Sequence, residues 1–213
     1  IKKQKPFIIP IGGSTGLGAL GYVKALQELS EQFGKDKVQI IFGVGSCGTF
    51  AGAILGAKIF MPTARIIGIS VSRTVEAIKK RTKELIQESS NLINCKINVD
   101  DRSIECYDDY HTEYGIITKS GEQEINDCAN LEGILLDPIY TGKVMAGLND
   151  LVDKNIMEEN IPVIFIHTGG MPSLFAAPDV VLGKTAVADI WFIENSFIRV
   201  HFQAKTVGSD CGY

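Results

Sequence analysis

The sequence lacks the features that identify several classes of protein. It has no excess of basic residues, because 21 Lys and Arg stand against 25 Asp and Glu and leave a net charge of -4. A basic surface that would attract nucleic acid or an anionic membrane is therefore not expected. The sequence contains no N-glycosylation sequon, no signal peptide and no apolar run near the ~20 residues that a membrane-spanning helix needs. We expect neither nucleic acid nor a membrane among its partners.

Cysteine and histidine are also sparse. The five cysteines are odd in number, widely spread and contain no Cys-x-x-Cys pair, which argues against a disulfide framework and against a zinc site. The three histidines have no partner at a recognisable spacing. We therefore expect no metal, and a reducing cytoplasm as the location.

The most informative stretch that is present runs over residues 37–53. A β-branched run leads into Gly43-Val44-Gly45-Ser46-Cys47-Gly48-Thr49, and small residues typical of a buried helix start follow. A glycine turn between a strand and a helix points several backbone N–H groups at one place and adds the positive end of the helix dipole. The stretch therefore predicts an anion site, most simply for a phosphate.

Three explanations of this turn remain open on the residues alone. The glycines at 43, 45 and 48 match the dinucleotide-binding fingerprint. That fingerprint expects a carboxylate about 20 residues later, where this chain has Ser70-Val71-Ser72-Arg73, although Arg73 could meet the extra phosphate of NADP. The other two explanations are a different phosphate ligand and a glycine turn with a purely structural role.

Strand and helix patterns alternate along the chain. Strands are predicted within residues 6–11, 38–44, 64–71, 103–107, 133–136 and 162–167, and helices at 17–33, from 50, and at 73–92, 121–131 and 143–152. This alternation predicts an α/β fold with an open, mostly parallel sheet and helices on both faces. The turns at Gly12, Gly43, Asp137 and Thr168 should then meet at the carboxyl edge of the sheet, where ligands bind.

The remaining candidates are single side chains. Tyr114 and Tyr140 lie beside glycine-containing turns, and His167 ends an apolar run; packing alone can explain all three. Cys47 lies in the anion turn, where a helix N-terminus would depress its pKa, although small size also explains it. Beyond Pro178 the pattern weakens, apart from an apolar, β-prone run at 191–202.

Four segments taken together resemble the D-cysteine desulfhydrase and aminocyclopropane-carboxylate deaminase family, pyridoxal-phosphate enzymes with a tryptophan-synthase-β-like fold. The resemblance covers residues 1–177 in the family's order, as the C-terminal part of the cofactor-binding large domain, and leaves 178–213 unmatched. The segments are Ile9-Pro10-Ile11-Gly12-Gly13-Ser14 with the helix start after it, Gly45-Ser46-Cys47-Gly48-Thr49-Phe50-Ala51-Gly52, Glu132-Gly133-Ile134-Leu135-Leu136-Asp137-Pro138-Ile139-Tyr140-Thr141-Gly142-Lys143 and His167-Thr168-Gly169-Gly170-Met171-Pro172-Ser173-Leu174-Phe175-Ala176.

The resemblance implies a role for each site residue. Tyr140 and Tyr114 would flank a small amino-acid substrate and act in proton transfer or polarisation, Thr168 would meet the pyridine nitrogen, and Thr141 would lie near the ring. A neutral Thr141 in place of the deaminases' Glu makes the ring a weaker electron sink, which favours D-cysteine desulfhydration over cyclopropane opening. The residues implied at the cofactor phosphate are Gly45, Ser46, Cys47, Gly48 and Thr49.

The family's Gly-Asn-Lys and Ser-Asn-His segments do not occur in this sequence. The resemblance therefore implies a C-terminal portion that lacks the Schiff-base lysine, with little activity alone and a homodimer when full length. The leading hypothesis is a pyridoxal-phosphate lyase that converts D-cysteine to pyruvate, sulfide and ammonia. The alternatives are an aminocyclopropane-carboxylate deaminase, a non-catalytic phosphate-binding domain and an NADP-dependent reductase.

Overall fold

The fold is that of an α/β domain in which helices alternate with strands. The computed structural model describes residues 8–34 and 36–182. The strands are β1 (Gln39–Val44), β2 (Arg65–Ser70), β3 (Glu105–Tyr107) and β4 (Val163–Phe165). The helices are α1 (Gly16–Phe33), α2 (Gly48–Phe60), α3 (Val75–Leu92), α4 (Lys119–Glu132), α5 (Thr141–Asp153) and α6 (Pro178–Leu182), with 3-10 turns at Ile11–Gly13, Asp101–Ser103 and Met171–Ala176.

The described strands form one parallel sheet in the order β3-β2-β1-β4. Gln39 pairs with Arg65 on one side and with Val163 on the other, and Ile67 pairs with Glu105. Parallel strands need crossover connections, and helices of the predicted lengths supply them. The predicted fold class, with its mostly parallel sheet, is confirmed.

Helices cover both faces of the sheet because the buried side chains of β1 alternate. Ile40 and Phe42 belong to the core shared with α1, α2 and α3, whereas Ile41 belongs to the core shared with α5. Helix α2 is buried along most of its length, which places it at the centre of the first layer. The turn at its N-terminus is therefore fixed by packing on a central strand and a central helix.

Two predicted strands are wrong in the part of the chain that the structure describes. Of residues 6–11, the described positions form irregular chain and the start of a 3-10 turn, with Ile8 and Ile9 exposed. Pro10 has no N–H to donate to a sheet. Residues 133–136 form no ladder, because the carbonyl of Leu135 accepts a hydrogen bond from His167 Nε2 at 2.9 Å instead.

Helix α6 continues the fold past residue 177. Val180 is buried in a cluster with Ile125, Leu136 and Leu174, and its carbonyl accepts a hydrogen bond from Asn126 Nδ2 at 3.2 Å. The apolar run at 191–202 lies outside the described residues, and the boundary at 177 stays a prediction. None of the helices within residues 8–34 and 36–182 combines the length and apolar character needed to cross a membrane.

Candidate active site

A hollow of about 300 Å³ opens where the predicted turns meet. The turns after β1 and β4 and the loops at Gly12 and Tyr140 all contribute to it, although only the first two follow a described strand. The convergence predicted for Ser46, Tyr140 and Thr168 is therefore present in the structure. The residues that line the hollow are Gly12, Tyr22, Gly43, Gly45, Ser46, Cys47, Thr49, Phe50, Tyr140, Thr168, Gly169 and Gly170.

The turn between β1 and α2 has the geometry of an anion site. Cys47 is the N-cap residue of α2 and lies in the left-handed region with φ 72°, and its side chain makes no capping hydrogen bond. The first N–H groups of a helix have no intrahelical partner, so those of Gly48 and Thr49 are available to an anion. The positive end of the helix dipole adds to the attraction.

Ser14 stabilises this turn through a hydrogen bond to Ser46. It was not predicted as a site residue. Ser14 is 5% exposed, and its Oγ donates a hydrogen bond of 2.6 Å to Ser46 Oγ. Arg81 fixes the Ser14 backbone, because its guanidinium donates to the Ser14 carbonyl at 3.0 Å. Ser46 is thus held by a buried hydroxyl in a loop that lies 32 residues away in sequence.

Tyr140 lies against the turn at Gly45. A β-carbon built on Gly45 would lie 2.9 Å from Tyr140 Oη, so the ring occupies the space that a side chain would fill. Tyr140 Oη donates to Tyr114 Oη at 3.3 Å, and the two rings meet edge to face with centroids 6.0 Å apart. The two tyrosines predicted to act together are therefore neighbours.

The surroundings of Tyr140 favour its protonated phenol. Burial raises the pKa of Tyr140, the hydrogen bond with Tyr114 and the charge of Asp137 raise it further, and the charge of Arg73 opposes them. Because the raising effects dominate, Tyr140 keeps its proton at neutral pH. In this arrangement the phenol is a weaker acid than an ordinary tyrosine and is present as a neutral hydrogen-bond donor.

Thr141 is not among the residues that line the hollow. The residue is 1% exposed. Its hydroxyl donates to Asp137 Oδ1 at 2.8 Å and accepts from the Asp137 N–H at 2.7 Å. The Asp137 carboxylate also accepts hydrogen bonds from the N–H groups of Ile139, Tyr140 and Thr141. The contact between Thr141 and the ring stays a prediction, and it requires the hydroxyl to turn away from Asp137.

His167 organises the turn that carries Thr168. Its Nε2 donates to the Leu135 carbonyl at 2.9 Å, and its Nδ1 accepts from the Gly169 N–H at 3.1 Å. Both ring nitrogens are thus bonded to backbone, in agreement with a structural histidine. Thr168 is exposed at the rim of the hollow, where its hydroxyl is available to a ligand.

Cys47 contributes backbone rather than thiolate chemistry. Cys47 is 2% exposed, and its Sγ lies 3.9 Å from the Gly45 carbonyl oxygen. Burial raises the pKa of the Cys47 thiol, and this effect exceeds the opposing influence of Thr82, Arg73 and Arg81. The helix N-terminus therefore does not make Cys47 a reactive thiol here, and small size accounts for the residue.

Comparison with known proteins decides which phosphate ligand this geometry suits. A family model described as "Pyridoxal-phosphate dependent enzyme" matches residues 1–169. The chain belongs to this family. Its cofactor is therefore pyridoxal phosphate, and the dinucleotide interpretation of Gly43, Gly45 and Gly48 is wrong.

Individual relatives agree with this assignment. The D-cysteine desulfhydrase of Salmonella paratyphi C (strain RKS4594) is 39% identical over 175 residues, which are 81% of this chain and 52% of that protein. The D-cysteine desulfhydrase of Klebsiella pneumoniae subsp. pneumoniae is 42% identical over 176 residues, with the same two coverages. The chain spans about half the length of the curated relatives that it matches.

A solved structure resembles the chain closely. The crystal structure of an ACC deaminase homologue superimposes with a TM-score of 0.74 and 38% identity, over 84% of this chain and 54% of that one. O-ureido-L-serine synthase superimposes with a TM-score of 0.55 at 15% identity, which supports the fold alone. The expected pyridoxal-phosphate fold is thereby confirmed.

The hollow fits the cofactor that the family requires. Its volume of about 300 Å³ is in the range of small-molecule sites, and its lining combines a phosphate-suited turn with the threonine hydroxyl of Thr168. Among residues 8–34 and 36–182, no three His, Cys, Asp or Glu side chains are grouped so that they could hold a metal.

Proposed function

We propose that the protein to which this chain belongs is a pyridoxal-phosphate lyase that converts D-cysteine to pyruvate, sulfide and ammonia. The observation that carries the proposal is the shared hollow, in which Ser46, Thr168 and Tyr140 converge although they are far apart in sequence. The desulfhydrase relatives, at 39% to 42% identity, support D-cysteine as the substrate.

In this proposal the turn after β1 holds the cofactor phosphate. The N–H groups of residues 46–49 and the Thr49 hydroxyl would donate to its oxygens, with Ser14 keeping the Ser46 side chain in place. Thr168, which also lines the hollow, would meet the pyridine nitrogen. Pyridoxal phosphate supplies an electron-withdrawing ring, which makes an amino acid bound to it easier to deprotonate.

Tyr140 and Tyr114 would serve the substrate. Tyr140 lines the hollow and is bonded to Tyr114, so we assign Tyr140 as the donor of a proton to the substrate and Tyr114 as its hydrogen-bonding partner. A proton returned through Tyr114, which is 66% exposed, can come from solvent. The pair would thereby connect the substrate to solvent.

The proposed reaction also needs groups that this chain does not contain. The lysine that binds the cofactor covalently and the group that holds the substrate carboxylate would come from a portion outside this chain, since no Gly-Asn-Lys or Ser-Asn-His segment occurs in it. We also propose a cytoplasmic location and a homodimer for the full-length protein. Light scattering of the full-length protein tests the dimer.

A second candidate reaction is the deamination of aminocyclopropane carboxylate, which the similarity to the ACC deaminase homologue favours. The neutral Thr141 argues against it, because no carboxylate stands at that position to keep the pyridine nitrogen protonated. A non-catalytic phosphate-binding domain is the further alternative. It would bind pyridoxal phosphate and release no product from either substrate.

The decisive experiment measures sulfide release from D-cysteine and ammonia release from aminocyclopropane carboxylate by the full-length protein. We expect sulfide release to dominate. The variant Tyr140→Phe should lower kcat by about 10² to 10⁴-fold, the usual contribution of a proton-transferring group, and should still bind the cofactor.

The matched control is Tyr107→Phe, because the Tyr107 hydroxyl bonds to Glu105 within the sheet and lies outside the hollow. It should turn over D-cysteine like the unmodified protein. Dominant ammonia release from the cyclopropane substrate would instead support the deaminase, and an unchanged kcat in Tyr140→Phe would refute the assigned role of Tyr140.

A further inference from the structure

Lys143 is a buried lysine that the proposed chemistry does not use. It lies in the first turn of α5, three residues after Tyr140, and is 1% exposed. Its Nζ donates to Thr112 Oγ1 at 2.6 Å and to the Val71 carbonyl at 3.4 Å. Among the residues that the structure describes, no carboxylate lies within ion-pair distance of Nζ. Burying an ammonium group against neutral acceptors is costly, so its contacts need a reason.

These contacts lead to the turn that carries Tyr114. Thr112 Oγ1 accepts from Lys143 and can donate to the carbonyls of Glu113 and Ile116, at 3.1 Å and 3.3 Å. The Ile116 N–H also donates to the Glu113 carbonyl, at 3.1 Å. Lys143 is therefore hydrogen-bonded to Thr112, and the Thr112 hydroxyl in turn holds the two ends of the turn over residues 112–116 together.

Packing alone holds this turn weakly. Tyr114 is 66% exposed and Ile116 is 52% exposed, and Glu113 and Gly115 are also on the surface. The Tyr114 ring buries little apolar surface, and burial of apolar surface is what usually holds a side chain of a loop in one position. Packing therefore constrains this ring only weakly. The polar bonds of Thr112 and the contact between the two phenols must supply most of the constraint.

We propose that Lys143 is a positioning residue, which anchors the turn 112–116 through Thr112 so that Tyr114 Oη faces Tyr140 Oη. One helix start provides both fixed points, because α5 carries Lys143 and begins directly after Tyr140. The distance between the two phenols is then set by α5 and the Thr112 contact. The catalytic meaning of this positioning rests on the proposed function, whereas the positioning itself does not.

The lysine suits this task better than an apolar residue of equal length. Its stem can fill the space between α5 and the end of β2, while its charged N–H groups form the stronger class of hydrogen bond to Thr112. Burial lowers the pKa of Lys143, and the charge of Asp137 partly compensates. Methionine would keep the volume and lose the donor, so Lys143→Met separates the two contributions.

The test uses the full-length protein labelled with 3-fluorotyrosine and observed by fluorine NMR without cofactor. Tyr114→Phe and Tyr140→Phe assign the two resonances, because each variant removes one of them, and Tyr107→Phe assigns the Tyr107 resonance in the same way. Lys143→Met removes the donor, and Thr112→Val removes the hydroxyl at nearly constant volume. Lys154→Met, at the other end of α5, is the control, because the side chain of Lys154 is 54% exposed and pairs with the half-buried Asp150.

In both test variants we expect the Tyr114 resonance to narrow and to move toward its position in urea-unfolded protein, while the Tyr107 resonance stays in place. With cofactor and D-cysteine, kcat should fall about 10 to 100-fold, as for other residues that orient a catalytic group. The KM and the cofactor affinity should change by less than about twofold, because the phosphate turn is untouched. The double variant should be no worse than the worse single one, since both act through one contact.

A Tyr114 resonance that is unchanged in the test variants would overturn the inference. If Lys143→Met does not fold, Thr112→Val decides alone, because it leaves the lysine in place. Failure of the proposed function would look different: the unmodified protein would not bind pyridoxal phosphate or would not release sulfide. The fluorine comparison needs neither cofactor nor substrate and still decides the positioning.

Discussion

At residue 45 the hollow depends on the absence of a β-carbon. An added Cβ would lie 2.9 Å from Tyr140 Oη and 3.0 Å from Tyr140 Cε1, closer than real carbon contacts permit. The variant Gly45→Ala should therefore displace the Tyr140 ring into the space of the cofactor. We expect cofactor affinity to fall at least about 10-fold, with a loss of only about 1 kcal/mol in the free energy of unfolding, because the ring can move toward solvent. Titration of the cofactor absorbance band and urea unfolding measure the two effects.

The control for this prediction is Gly21→Ala on the exposed face of α1. A Cβ at Gly21 meets nothing within 4 Å, so alanine should raise the free energy of unfolding by about 0.5 to 1 kcal/mol through helix propensity. Cofactor affinity should not change. Equal affinities in Gly45→Ala and the unmodified protein would show that Tyr140 does not define this wall of the hollow.

The sequence predicted the residues of the hollow that belong to recognisable motifs. It did not predict the residues whose role depends on a contact with a distant segment. Ser46, Tyr140 and Thr168 stand in glycine turns and are found at the hollow. Ser14 resembles an ordinary turn residue until its 2.6 Å hydrogen bond to Ser46 is seen. Lys143 resembles a solvated helix residue, and only its burial sets it apart. Such roles arise from contacts between distant segments, which spacing along one segment does not encode.

At the scale of elements, strands predicted from apolar runs formed only where a neighbouring strand could pair with them. Residues 64–71 contain β2 and residues 162–167 contain β4, and both strands pair directly with β1. Residues 133–136 have a similar apolar composition and no ladder. Their carbonyl at Leu135 is instead satisfied by the His167 side chain, an interaction that local composition cannot predict.

Arg65 joins several elements at the edge of the sheet opposite the hollow. Its guanidinium bonds to both Glu105 carboxylate oxygens, at 2.8 Å and 2.5 Å, to Gln39 Oε1 at 2.9 Å and to the Ile156 carbonyl at 2.9 Å. Replacing Arg65 by Met leaves these acceptors partly buried without their donor. We expect a loss of about 2 kcal/mol in the free energy of unfolding, typical of hydrogen bonds to charged groups, measured by urea unfolding.

A surface ion pair provides the comparison for Arg65. Lys83 bonds to Asp101 at 2.6 Å, with both side chains largely in solvent, so Lys83→Met should cost little or nothing. The cofactor affinity of both variants should match that of the unmodified protein, because neither residue lies near the carboxyl edge. Equal stability of the Arg65→Met and Lys83→Met variants would contradict the assigned role of Arg65.

At the scale of the whole molecule, the parallel topology explains why the convergence of the turns was predicted correctly although two of the predicted strands were wrong. The turns at Gly43 and Thr168 follow neighbouring strands β1 and β4, so both must open at one edge. The loops at Gly12 and Asp137 reach the same edge without a strand, because α1 and α5 begin there. Helix starts and strand ends share this edge in an α/β fold, and the convergence survives errors in single elements.

Alkaline pH should weaken the whole fold through Cys106, the central residue of β3. Cys106 is 9% exposed and belongs to the core between the sheet and the first helix layer, and burial raises the pKa of its thiol from 9.0 to about 11. Above pH 9 the thiol ionises in the unfolded chain and stays protonated in the folded one. The folded state then binds more protons, so its stability is complete below pH 9 and falls as the pH rises toward 11.

The size of this effect follows from the same linkage. One proton held only by the folded state lowers the free energy of unfolding by about 1.4 kcal/mol per pH unit, and thus by at most about 3 kcal/mol over this range. Urea unfolding of Cys106→Ala between pH 8 and pH 11 should show a shallower decline than the unmodified protein, whatever its stability at pH 8. Cys95→Ala, which replaces a half-buried cysteine outside the core clusters, should keep the steeper decline. Parallel curves for Cys106→Ala and the unmodified protein would mean that the β3 thiol ionises equally in both states, and that the sheet is less tightly covered at β3 than its burial indicates.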